Sequence, residues 1–378
     1  MSVSVAATRF GTFPRVNDHH DMRIYFERGR WMVTGQQPYR DVFSEYPQIA
    51  TWLFAIPHVG TAIWSRLSGT QQHPERLYRY LFSGLMALFL AGTIAMLYTL
   101  RHEHQWLAFL LLLPAGCYFT QNRFDIVPAF LTVASLHALR GRRCRTACAL
   151  LAIATATKWY GLVMMPVFVI YLYRTNQRVP WSEIMSYGLV LGVIVLPTLL
   201  AIGWQGFLNP YKFHLTRLTN PESMLHLIMA LIARLHVSHP LIDQVLLHGF
   251  LALQFAVAPL CLLVRLDTWD RVVTWSALSI LCFMLFAKFY SPQWILWVTP
   301  LLVLLANRPI EVAGIVLLYV VTYVYFPYLY HLPDKPPMWF PGIIALKTAL
   351  LALWMLHLLY RERAYWCLIS RLGMPQQV

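Results

Sequence analysis

The sequence predicts an all-α, polytopic transmembrane bundle with an amphipathic outer first loop. Three observations carry the fold class. The chain of 378 residues is 58% hydrophobic and only 12% charged, about half of the roughly 25% charge that a soluble domain carries. Apolar runs close to the roughly 18 residues needed to cross a bilayer recur from residue 77 to residue 360. The net charge of +14 comes mostly from arginines between those runs, a pattern of membrane orientation and contact with anionic membrane lipids. No nucleic-acid recognition motif accompanies it, so nucleic acid is not an expected partner.

Taken in order, residues 1–16 contain Arg9, Pro14 and Arg15 and no apolar core, which predicts no cleavable signal peptide. Residues 17–67 read as an outer acidic loop followed by an interfacial helix, 77–360 as the transmembrane bundle, and 361–378 as a cytoplasmic tail. No repeat or linker divides them, so 1–378 is read as a single integral-membrane domain. The loop 17–47 concentrates Asp18, His19, His20, Asp21, Glu27, Asp41 and Glu45, with a short amphipathic helix over roughly 22–34. Residues 49–67 are long enough to span, but Pro57, His58 and Gly60 interrupt their middle.

Laying 49–67 at the interface leaves about eleven spans: 77–100, 106–120, 126–139, 146–157, 162–173, 181–202, 245–264, 272–287, 291–306, 310–326 and 341–360. The arginine-bearing connectors 101–105, 140–145, 174–178, 265–271 and 307–309, with the tail from 361, then share the cytoplasmic side, as positive residues tend to do. Counting 49–67 as a span would move 140–145 to the outside. Segments 146–157 and 162–173 are short, which predicts a broken helix pair around Lys158, tolerated where protein or water covers the freed backbone. The six cysteines lie in or beside apolar runs with neither disulfide-framework nor metal-site spacing.

This orientation gathers the opening loop, 121–125, Lys158, 203–244, 288–293 and 328–337 on the outer face. Asp21 is the candidate catalytic group, since a carboxylate in a partly dry pocket can accept a hydroxyl proton. The plainer account is a solvated loop in which an Asp caps the 22–34 helix. Asp18, His19, His20 and Asp21 carry donors that suit a divalent cation, although adjacent residues converge on one ion only through a tight turn. Metal dependence therefore stays open.

Asp125 reads as an N-cap with Pro128 in the first turn behind it, and it faces the outer pocket. Arg123 beside it suits a phosphate. Lys158 sits inside a 28-residue apolar stretch, where an ammonium is costly unless paired, snorkelling or facing a cavity. Lys288 precedes Ser291 and Pro292, which read as an N-cap and first-turn proline, leaving the lysine and Gln293 uncommitted. Residues 209–226, with Lys212, His214, Arg217 and Glu222, read as an outer lid or an ordinary interfacial helix. Tyr25, Trp31, Tyr39 and Trp159 are candidates for stacking on a ligand.

The ordered set of Asp21 to Pro47, the NRFD run (122–125) heading a helix, Gly141-Arg142-Arg143, the Lys158 segment and the 288–300 segment resembles the GT-C superfamily of membrane glycosyltransferases. The bacterial polyprenol-phosphate-mannose-dependent mannosyltransferases are the most similar group. The resemblance covers about residues 21–300. It implies an inverting transfer of a hexose, mannose in that group, from a polyprenyl-phosphate sugar to a lipid or glycan acceptor on the outer face of the cytoplasmic (inner) membrane. It implies Asp21 as general base, Arg123, Lys158 and Lys288 as donor-phosphate ligands, and Asp18, His20, Tyr25, Tyr39, Glu45, Asp125 and Gln293 as supporting groups.

Two features differ from the family. Its members place a transmembrane helix before the first outer loop, so a first helix is expected upstream of Met1, or else export by another route. Some relatives carry a DxD-like acidic pair where this chain has DHHD (18–21). The alternative function is a transporter or flippase for a lipid-linked or anionic substrate, with Lys158 as a midplane site. That reading expects polar groups through the whole bundle depth.

Overall fold

The helix that opens the described chain, α1 (His20–Val33), holds Asp21 in its first turn and Arg30 in its last, each sign complementing the helix dipole. Its buried residues Met22, Tyr25 and Gly29 fall on one face at helical spacing. That face lies against α2 (Gln48–Ser68), which starts after Pro47 and stops at Gly69 with φ 65°, a left-handed terminus that glycine adopts without strain. At Gly29 the two helices are nearly in backbone contact: a Cβ there would stand 2.1 Å from the Phe54 carbonyl oxygen.

The computed structural model describes residues 20–69, 74–101, 103–236, 239–330 and 339–363. The helices after α2 are α3 (Pro74–Leu100), α4 (Pro114–Asn122), α5 (Ile126–Arg140), α6 (Cys144–Thr157), α7 (Met165–Asn176), α8 (Trp181–Thr216), α9 (Met224–Arg234), α10 (Pro240–Gln254), α11 (Val257–Leu260), α12 (Trp269–Phe286), α13 (Ile295–Leu305), α14 (Pro309–Tyr323) and α15 (Phe340–Glu362). No strand occurs among the described residues beyond an isolated bridge between Pro38 and Val42. The all-α expectation holds.

Among the described residues, five helical stretches are long and apolar enough to cross a membrane: α3, α8, α12, the run Pro309–Leu329 and α15. The bent pair Pro240–Gln254 and Val257–Leu263 makes a sixth if it is one span. This is a polytopic membrane protein. The expected count of about eleven spans is not confirmed by helix length, because several apolar segments fold as short pieces. Residues 106–120 divide into a 3-10 turn (Gln105–Leu112) and α4, and the 291–306 segment into a turn and α13. Such short apolar helices are sheltered by their neighbours: α13 is buried along almost its whole length. In α12, 72% of the apolar window is buried, against 11% in α8, so α12 is central and α8 peripheral.

The bundle has two chemically distinct ends. At one, Arg101 donates to the carbonyls of Val303 and Ala306, Arg140 donates to Leu100 O and lies over the Trp269 ring, and Arg361 donates to Leu305 O. Arg174 donates to Leu262 O nearby. The six arginine-bearing connectors thus come together, and the carbonyls freed at helix ends are their acceptors. Only 361–363 of the expected tail lie among the described residues.

Candidate functional site

The opposite end holds Asp21, Arg123, Asp125 and Lys158. Arg123 and Asp125 sit in the connection between α4 and α5, where Arg123 donates its amide hydrogen to Phe119 O and its guanidinium to Asn122 O. Arg123 is 3% exposed and Asp125 fully buried. Arg123 Nε lies 2.8 Å from Asp21 Oδ2, and Lys158 Nζ lies 2.7 Å from Asp125 Oδ1. Two ion pairs therefore stand side by side, joined through the Arg123–Asp125 stretch of backbone.

The break that brings Lys158 here is real. α6 ends at Thr157, Lys158 is extended (φ −159°, ψ 128°), and a short 3-10 turn, Trp159–Met164, leads into α7. Gly161 packs into the turn so closely that a Cβ would meet Thr155 Oγ1 at 2.8 Å and Thr155 N at 2.9 Å. The Lys158 ammonium also lies over the rings of Phe124 (4.6 Å) and Trp297 (5.2 Å), whose faces favour a cation.

Asp125 corrects one expectation. It occupies the N-cap position of α5 but makes no side-chain cap; its Oδ1 instead accepts from Lys158 and from Trp297 Nε1, the latter at 2.8 Å. A charged acceptor satisfied by an ammonium and an indole outcompetes a neutral capping role. Its Oδ2 is buried and has no hydrogen-bond partner among the described residues. Ser291 likewise stands at an N-cap without capping, ahead of Pro292.

The supporting residues divide. Tyr25 is 1% exposed and packed among Phe54, Phe82, Phe124 and Tyr46, and burial pushes its phenol well above the usual range. It anchors α1 rather than offering a ring to a sugar. Tyr39 adopts φ 72° and donates its hydroxyl to Tyr46 O, so it also serves loop geometry. Glu45 pairs with Arg28 at 3.0 Å. His20 is exposed at the start of α1, and Asp18 and His19 lie outside the described residues. Trp31 carries the Arg28 guanidinium over its ring at 4.3 Å.

Lys288 is not brought to the two ion pairs. Its ammonium donates to Leu215 O at the end of α8, and Gln293 is half-buried in the turn that follows. The C-terminal part of α8 folds over the site. Helical geometry breaks at Gly203 (φ 70°, ψ 174°), after which Tyr211 stacks on Trp159 at 4.7 Å and His214 Nε2 meets Glu45 O at 3.1 Å. Arg217 rests 3.4 Å above Phe289, within electrostatic reach of Tyr46, Glu45, Asp21 and Glu222.

Two residues escaped sequence reasoning. Trp297 is hidden in an apolar run that reads as plain span. Lys347, 1% exposed in α15, donates to Glu222 O at 2.9 Å and sits 3.5 Å over the Tyr290 ring; a lone lysine inside a predicted span was the available signal. Asn220 ties the same corner together, donating to Glu222 Oε2 and Tyr290 O and accepting from Tyr290 N. Burial pushes the Glu222 carboxyl up to about 7, with Lys347 pulling the other way. Among the described residues no three His, Cys, Asp or Glu side chains converge as a metal site, and the one carboxylate described from the DHHD run is engaged by Arg123.

The family model for glycosyltransferase family 87 matches residues 43–292, about two-thirds of the chain. The chain belongs to this family. The matched stretch of this family-87 glycosyltransferase includes Arg123, Asp125, Lys158 and Lys288, while Asp21 precedes it and Trp297 and Lys347 follow it. A comparison with curated proteins gives no match.

Proposed function

We propose that this glycosyltransferase inverts the anomeric centre while moving a hexose, mannose by the resemblance of its motifs, from a polyprenyl-phosphate sugar to a lipid or glycan acceptor. The outer face of the cytoplasmic membrane is the proposed site of transfer. The observation that carries the reading is the difference between the two carboxylates: Asp125 is enclosed, whereas the Asp21 side chain keeps 23% of its surface exposed beside a buried guanidinium.

Asp21 then takes the acceptor hydroxyl proton as the acceptor oxygen bonds to the anomeric carbon. The bond from that carbon to the phosphate oxygen breaks, and the polyprenyl phosphate leaves with the electron pair. Arg123 and Lys158 offset the negative charge that develops on the leaving oxygen. Arg123 holds Asp21 in place until substrate arrives. Lys288 and Arg217 are placed to guide the donor from the α8 side. Membership of a glycosyltransferase family counts against the transporter reading.

Asp21→Asn is the test, in purified protein supplied with a short-chain polyprenyl-phosphate mannose and a membrane-lipid acceptor fraction. Turnover is expected to fall by about 10²–10⁴-fold with expression retained, and the thermal midpoint to drop because the buried Arg123 guanidinium loses its counter-charge. Normal turnover by the variant overturns the assignment of the base, and transfer from a nucleotide sugar instead overturns the donor class.

A further inference from the structure

At the end of the bundle remote from the paired acids and bases there is a cavity of about 610 Å³. Arg142, Arg143, Arg145 and Arg178 line it, with Glu183 as the one carboxylate. Among the described residues none of these four guanidiniums forms an ion pair, and Glu183 accepts instead from Ser182 Oγ at 2.7 Å. Like charges at this density repel one another unless an anion sits among them. The backbone is shaped to keep them together: Arg142 adopts φ 57°, a left-handed conformation uncommon for a side chain of this size. The connector then closes with Arg142 N and Arg143 N donating to Leu139 O and Ala138 O.

We propose that this cavity binds the phosphate of an anionic phospholipid headgroup. Position and lining select a lipid over a free anion. Leu139 and Leu172 give the cavity an apolar floor, which a fatty-acyl glycerol can cover and inorganic phosphate cannot. Beside it begins α8, the most lipid-exposed of the apolar helices, with Trp181 67% exposed at its first residue and Tyr173 49% exposed on α7. Exposed Trp and Tyr at the mouth of an apolar helix mark headgroup depth, and basic pockets between helices at that depth suit anionic headgroups. The α6 terminus contributes as well. Its N-cap, Arg143, makes no side-chain cap, and its first residues, Cys144 and Thr146, line the cavity.

The site would act on the far end of the molecule through α6 itself, which runs from Cys144 in the cavity wall to Thr157, next to Lys158. Bound lipid steadies the start of the helix whose end sets the lysine.

The test is native mass spectrometry of the full-length protein equilibrated with phosphatidylglycerol or phosphatidylcholine. The wild type is compared with Arg145→Gln/Arg178→Gln and with Arg66→Gln/Arg76→Gln, which removes equal charge from another surface. At about one kcal/mol per arginine, preference for phosphatidylglycerol should fall about thirtyfold in the first variant and stay near wild type in the second. A photo-crosslinking phosphatidylglycerol on the wild type should label peptides within 139–146 or 171–183. Equal loss in both variants, or labelling elsewhere, overturns the proposal. So does full displacement of the lipid by millimolar glycerol phosphate or inorganic phosphate, which would make the cavity a soluble-phosphate site.

Discussion

A single oxygen of Asp125 accepts from both Lys158 Nζ (2.7 Å) and Trp297 Nε1 (2.8 Å). One atom thus joins the α4–α5 connection, the break after α6 and the middle of α13. Lys158 keeps 18% of its side-chain surface while Asp125 keeps none, so the ammonium looks out of the bundle and the carboxylate looks in. The arrangement fixes a cation at the bundle mouth without exposing the acid that neutralises it.

The first prediction tests that division. Asp125→Asn leaves an enclosed ammonium without its counter-charge and should cost roughly 3–5 kcal/mol. Adding Lys158→Met should return part of this, because the second change removes the stranded charge; the two effects are then non-additive. Denaturant or thermal unfolding of the two single variants and the double variant measures the coupling, and strict additivity would show that the pair is not a unit.

The second concerns pH. The Glu222 carboxyl titrates at about 7 in the folded chain, mainly through burial, against an ordinary value near 4.5. Ionisation between these values favours the unfolded chain. Stability from this group is therefore fullest below about pH 4.5 and declines as pH rises to about 7. The difference is on the order of 3 kcal/mol. Unfolding midpoints across pH 4.5–7.5 should fall more steeply in the wild type than in Glu222→Gln; parallel curves would contradict the burial argument.

The third concerns the seat of Asp21. In Gly29→Ala the new methyl would lie 2.1 Å from Phe54 O and 2.6 Å from Phe54 C, which are backbone atoms that cannot swing aside. α1 must lift from α2, at a cost of about 1–3 kcal/mol or more, and Asp21 moves with it. Both midpoint and transfer rate should fall. Gly84→Ala, where a Cβ meets nothing within 4 Å, should leave transfer unchanged.

Much of this was legible, and the gaps have a common physical origin. Asp21, Arg123, Asp125 and Lys158 stand out because charge is rare in the chain and costly in hydrocarbon. The helix at the start of the acidic loop follows from apolar spacing and falls within two residues of its expected limits. What one-dimensional pattern does not carry is pairing. Lys158 and Asp125 are 33 positions apart, and Trp297 is 172 from Asp125. The capping signals at Asp125 and Ser291 misled because a tertiary partner, or none, replaced the local amide. The span count is the least legible quantity, because short apolar helices sheltered by protein read the same as helices facing lipid.

The last prediction rests on Gly203. Its φ of 70° with ψ of 174° belongs to a region almost confined to glycine, and it lies where the predicted span 181–202 gives way to the predicted outer segment 203–244. Beyond it, α8 turns back so that Tyr211 covers Trp159, His214 reaches Glu45, and Phe213 meets Phe43 at 5.3 Å. A Cβ at Gly203 would touch nothing within 4 Å, so Gly203→Ala costs backbone strain alone, of order 1–3 kcal/mol. The chain can relieve that strain by straightening α8, which withdraws Tyr211 and His214 from the site. Gly188→Ala is the matched control: the residue lies in the same helix, it too has open space around its Cα, and its helical backbone should gain up to about 1 kcal/mol. In a transfer assay Gly203→Ala should raise the KM for the lipid-linked donor by several-fold and lower the unfolding midpoint by a few degrees at most, since straightening relieves the strain only by giving up contacts. Gly188→Ala should leave KM where it was. An equal KM in the two variants would mean that the fold-back of α8 plays no part in holding the donor.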